Sequence, residues 1–105
     1  MAHCPSDAVA DLRSTLDEIG AWYGLKEPKP GILYLKRLPF LHLHIDRDGR
    51  RTADVRDGAD WGAPIAVPSP ASATVQRRLL AEARRRHAAT LAHLAGPRHR
   101  TETTR

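Results

Sequence analysis

Phe40-Leu41-His42-Leu43-His44-Ile45-Asp46 places apolar and polar side chains in alternation, the period of two that an extended strand sorts onto opposite faces. Arg47-Asp48-Gly49-Arg50-Arg51 and then Thr52-Ala53-Asp54-Val55 come next, so a turn and a second alternation complete a β-hairpin. Parity selects its register. A two-residue loop at Asp48-Gly49 would set the histidines opposite Ala53 and Val55 and mix both faces. A three-residue loop, Arg47-Asp48-Gly49, sets Leu41 against Val55, Leu43 against Ala53, His44 against Thr52 and His42 against Asp54. Because a slip of one residue exchanges core and solvent faces, the second register is predicted, with Gly49 left-handed.

The flanking sequence supplies the remaining elements. Ser6 reads as a helix cap with Asp7 in the first turn, and Val9, Leu12, Leu16, Ile19 and Tyr23 line one stripe of a helix from Asp7 to Trp22 that stops at Gly24. Glu27-Pro28-Lys29-Pro30-Gly31 reads as a stiff connector. Ile32 to Lys36 is a strand, with Arg37-Leu38-Pro39 as the break before the hairpin. Asp57-Gly58 marks another turn, Trp61 is expected to close the open end of the sheet, and Ile65 and Val67 suggest a short strand that Pro64 confines to an edge. Ser69-Pro70 reads as the start of a second helix, carrying Val75, Leu79, Leu80, Ala83, His87, Leu91 and Leu94 on its apolar stripe as far as Ala95. Gly96-Pro97 should stop it, leaving a disordered basic tail over 97–105. The order α-β-β-β-(β)-α predicts an α+β, two-layer sandwich: an antiparallel meander of three to four strands, covered on one face by both helices and open on the histidine face.

At 105 residues the chain fits one domain, over 1–96, with a core large enough to need no disulfide. Its single cysteine, Cys4, has no partner in the chain, and no apolar run is long enough for a membrane span or ordered like a signal peptide. A cytoplasmic location and no membrane partner are expected. The formal net charge of +5 is unevenly placed: residues 1–76 balance to −1 and residues 77–105 to +6. The excess therefore belongs to the second helix and the residues C-terminal to it.

Three chemistries are open to these residues. His42, His44 and Asp54 on one sheet face can ligate a divalent metal such as zinc, iron or nickel, although a fourth ligand is missing. No other cofactor is expected. The same histidines and carboxylate can act as an acid/base couple, yet Thr52 is the only hydroxyl beside them and no nucleophile elbow or glycine-rich phosphate cradle exists. Arg77, Arg78, Arg84 and Arg85, with Arg86 beside them and Arg98 and Arg100 beyond, can follow a nucleic-acid backbone. His87, on the apolar stripe, reads as a packed histidine with a local partner.

Gly31 to Asp57, about a quarter of the chain, carries Gly-Ile-Leu-Tyr-Leu-Lys, Pro-Phe-Leu-His-Leu-His, Asp-Gly and Ala-Asp-Val-Arg. These residues resemble a class of small uncharacterised bacterial proteins with a Pro-Phe-Leu-His-Phe-His strand, from which this chain departs at Leu43. The resemblance implies an α+β domain and carries no catalytic residue with it. The leading expectation is a non-enzymatic binding or interaction domain that meets a small ligand or protein through Phe40, His42, His44, Thr52, Asp54 and Arg56. A metal-dependent or acid/base enzyme on the same face and a nucleic-acid accessory protein using the arginine helix are the alternatives. An exposed sheet edge would also allow a homodimer.

Overall fold

The computed structural model describes the backbone of residues 6–103 and the side chains of residues 7–96. Cys4 and the side chain of the expected cap Ser6 lie outside the described residues, as do the side chains of Arg98 and Arg100. The chain forms an α+β fold in which an open antiparallel sheet is backed by two helices on one face, as expected.

Residues Ser6–Leu12 form a 3-10 helix that passes into α1, Arg13–Gly20, rather than one α-helix to Trp22. The cause lies in the packing of this turn. The Arg51 guanidinium takes the Ala8 carbonyl at 2.7 Å and both Asp11 carboxylate oxygens at 2.8 Å, and competition for that carbonyl favours the tighter turn. Val9, Leu12, Leu16 and Ile19 are fully buried, as their spacing predicts. Tyr23 is not: the helix ends before it, the residue is 68% exposed, and the Lys36 ammonium sits 5.0 Å from its ring centre.

The expected stiff connector is in fact strand β1, Leu25–Lys29, paired with β2, Ile32–Leu35. Two prolines hid it. Pro28 is tolerated because β1 is an edge strand, where a missing N–H need not break a ladder, and the register indeed slips between Lys26 and Lys29. Pro30-Gly31 makes the turn, with Gly31 at φ +78°.

The break after β2 is Lys36-Arg37, with Lys36 left-handed at φ 60°, and Pro39 lies inside β3, Leu38–Ile45. Leu33 pairs with Leu41 but Tyr34 pairs with Pro39, so Phe40 is an extra residue, a β-bulge. A bulge shifts side-chain parity by one. Phe40 and Leu41 therefore both point into the core, at 0% and 1% exposure, and Phe40 leaves the histidine face on which alternation had placed it.

Beyond the bulge the hairpin has the predicted register. Strand β4, Arg51–Asp57, pairs Leu41 with Val55, His42 with Asp54, Leu43 with Ala53 and His44 with Thr52, and Gly49 closes the loop at φ +85°. Two-residue strands β5, Asp60–Trp61, and β6, Ile65–Ala66, pair with the far side of β4. Trp61 closes nothing: it is 41% exposed and lies under the Arg56 guanidinium, 4.7 Å from the ring centre.

Helix α2 spans Ala73–Thr103, and its cap is Ser72, whose hydroxyl accepts the Val75 N–H at 3.1 Å, not Ser69. The Ala71 N–H donates to Asp11 at 2.7 Å, which holds that residue out of the helix. At the far end the backbone stays helical through Gly96 and Pro97, so the segment expected as a tail is helical to Thr103. Proline removes one hydrogen bond but its φ is itself helical. Leu79 and Ala83 enter the core, whereas Leu94 is 40% exposed.

Arg51 is the polar centre of the buried layer. Its side chain is fully buried and bridges Asp11 to the carbonyls of Ala8, Val67 and Pro68. The guanidinium holds the Asp11 carboxyl down to about 2, from an ordinary 3.8, with the Ala71 N–H adding to the effect. A depressed carboxylate stabilises the fold above its unfolded value, and that contribution disappears as pH falls through the folded one. About 2 kcal/mol should be lost between about pH 4 and pH 2. Urea midpoints measured over that window should converge for wild type and Asp11→Asn; parallel curves would contradict the assignment.

A candidate ligand-binding face

Both helices pack on the side of Leu33, Leu35, Leu41, Leu43, Ala53 and Val55, so alternate residues of the same strands form the uncovered face. Two rows cross it. One runs Lys29, Ile32, His42, Asp54, and the other runs Lys26, Tyr34, Pro39, then Arg56 and Trp61. His44, Thr52 and Ala66 make a third, shorter line.

Of the residues expected at a site, His42, His44, Thr52, Asp54 and Arg56 share this face, all half-buried. Phe40 does not. Its ring instead meets His87 edge to face at 5.9 Å, and His87 in turn packs 5.5 Å from Trp22 and reaches the Tyr23 carbonyl through Nε2 at 2.9 Å. His87 is thus the packed histidine its position predicts.

The histidine rings stack, with centres 5.2 Å apart and planes 20° from parallel. Although His42 is the register partner of Asp54, the carboxylate meets the diagonal neighbour: His44 Nε2 stands 2.9 Å from Asp54 Oδ2. This geometry bears on metal binding. Imidazole lone pairs lie in the ring plane, so two rings share a metal only where their planes meet, and planes this close to parallel meet far beyond the metal–nitrogen distance of about 2 Å. Among the described residues no group of three or more His, Cys, Asp or Glu side chains is placed to hold a metal ion. Arg56 is anchored, donating through Nε to the Pro39 carbonyl at 2.7 Å and through Nη1 to the Ala59 carbonyl at 3.1 Å.

The arginines of α2 divide by environment. Arg86 is 6% exposed and donates to Glu82 at 2.9 Å and to the carbonyls of Val55 and Ala63 at 3.0 and 3.1 Å. Arg85 reaches both Asp57 and Glu82 at 3.1 Å, and the two arginines together hold the Glu82 carboxyl below its usual range. Arg84 lies over the Trp22 ring at 4.4 Å. Arg77 and Arg78 are exposed. Arg77, Arg84 and Arg85 also line one shallow depression on α2 with Leu80 and Ala81.

Sequence reasoning missed half of the uncovered face. Lys26, Lys29, Lys36, Ile32, Tyr34 and Pro28 line one shallow depression of about 520 Å³ over β1 and β2. Composition carried a signal for it: the chain has fourteen arginines but only three lysines, and all three line this depression. None of them makes an ion pair within the described residues, although Lys36 also covers Tyr23.

Among the described residues no helix is long and apolar enough to cross a membrane. Comparison with protein families, curated proteins and solved structures finds no match to this chain.

Proposed function

We propose that this chain is a non-enzymatic binding domain whose ligand lies across the uncovered sheet face. One observation carries the reading: among the described residues an entire face of the sheet has no covering layer, and it presents half-buried Ile32, Tyr34, His42, His44 and Thr52 beside exposed Trp61. Apolar and aromatic groups framed by a few polar ones are the usual composition of a recognition surface. The opposite face is committed to the core, and of the α2 arginines Arg86 is buried while Arg84 and Arg85 meet Trp22, Asp57 and Glu82.

The stacked histidines contribute a planar surface, and Asp54 beside His44 adds an acceptor. Both sheet edges are blunted, on one side by Pro28 and on the other by the brevity of β5 and β6, so face contact is favoured over strand addition.

Replacing His42 and His44 together by alanine should change stability by no more than about 1 kcal/mol, since half-buried surface positions tolerate truncation. The same variant should lose the species that co-purifies with the wild-type chain after mild chemical fixation of cells. Unchanged recovery of that species from a folded double variant would contradict this reading.

A further inference from the structure

Resting on that reading, we infer that the ligand of the uncovered face is a single-stranded nucleic acid, with its phosphates on Lys26, Lys29 and Lys36 and its bases on Tyr34 and the neighbouring rings. Charge narrows the choice of occupant first. Among the described residues, the rows crossing the face carry Lys26, Lys29 and Arg56, with Lys36 at their margin, against the single carboxylate of Asp54, 2.9 Å from His44 Nε2. A second copy of this chain would oppose like charges to like charges. A polyanion complements them.

The arrangement of flat groups narrows it further. Lys26, Tyr34 and Pro39 lie in one row, and Arg56, bonded to the Pro39 carbonyl, continues it to Trp61, so cations and rings are interspersed across the sheet. Ile32 and the His42 ring lie in the next row beside Lys29. Every base has a π-face, and a backbone phosphate accompanies each base, so an unpaired strand offers partners to both the rings and the cations. A duplex hides its bases from a flat sheet. Four inter-strand steps of about 4.8 Å give roughly 19 Å from β1 to β5, a width on which two or three bases can stack.

Use of lysine is the independent observation. At Arg51, Arg56 and Arg86 the chain uses arginines whose forks are fixed by backbone carbonyls. At the depression it places its three lysines, which make no ion pair among the described residues and present ammonium point charges suited to phosphate, Lys36 also covering the Tyr23 ring.

Fluorescence anisotropy with labelled single-stranded RNA and DNA of about ten nucleotides, at about 50 mM salt, tests the assignment. Changing Lys26, Lys29 and Lys36 together to glutamine should weaken binding at least about ten-fold and lower the slope of log affinity against log salt by about 2. Tyr34→Leu should weaken it about five-fold or more with the slope unchanged, because stacking and not charge is removed. Arg77→Gln with Arg78→Gln should leave binding within about two-fold. The lysine changes lie outside the core, so folding does not confound them. Absence of binding, equal affinity for a duplex of the same length, or loss only in the Arg77/Arg78 variant would each overturn the assignment. If oligonucleotide binding fails while the His42/His44 variant still loses its co-purifying species, the nucleic acid is wrong and the binding face stands.

Discussion

Replacing Arg51 with methionine is expected to cost about 3–5 kcal/mol of unfolding free energy, the range for removing one partner of a buried ion pair. Methionine roughly fills the volume, so the loss comes from the groups left behind. Asp11 would keep a carboxylate facing a buried layer without its bidentate partner, and the carbonyls of Ala8, Val67 and Pro68 would lose the donor that reaches them at 2.7, 2.8 and 3.2 Å. Those carbonyls belong to the 3-10 helix and to the segment leading into α2, so one guanidinium joins both to β4. Against a total of about 5–15 kcal/mol for a domain of this size, a loss of that order should lower the urea midpoint of the variant substantially. Arg50→Met, one residue away and exposed, should stay within about 0.5 kcal/mol. Urea denaturation with an unchanged slope checks both, and a loss below about 1 kcal/mol for Arg51→Met would contradict the role assigned to it.

Phe40→Ala should cost a comparable amount, about 3–5 kcal/mol, as for other fully buried aromatics. Strand alternation alone would predict almost none, because it assigns Phe40 to the histidine face. The bulge reverses the expectation: Phe40 is fully buried and packs edge to face on His87. Comparison with the His42/His44 double alanine variant isolates the effect, since all three residues lie on one strand. A Phe40→Ala variant as stable as the histidine variant would mean that the bulge is absent and that Phe40 belongs to the open face.

These two residues also mark where sequence reading succeeds and where it stops. The register from Leu41 to Ile45 was legible because parity and a glycine-bearing loop both select it. The departure at Phe40 was not, because it depends on Pro39 lying inside the strand and on Lys36 adopting a left-handed turn without glycine. Pro28 and Pro30 disguised β1 as a connector, and with it went the depression that gathers every lysine of the chain. Arg51 and Arg86 were hidden for another reason. A charged side chain reads as solvated, yet a guanidinium can be buried when carbonyls and a carboxylate meet most of its donors. Of the expected site, His42, His44, Thr52, Asp54 and Arg56 were legible as neighbours, while the diagonal approach of Asp54 to His44 depends on rotamers that spacing does not encode.

We propose the uncovered sheet face as the recognition surface, and site-specific photocrosslinking in living cells tests that proposal most directly. A benzophenone amino acid placed at position 42, on that face, should yield an adduct of higher mass that the same residue at position 78, on the exposed side of α2, does not. An adduct from position 78 with none from position 42 would place recognition on the helix and contradict the assignment of the sheet face.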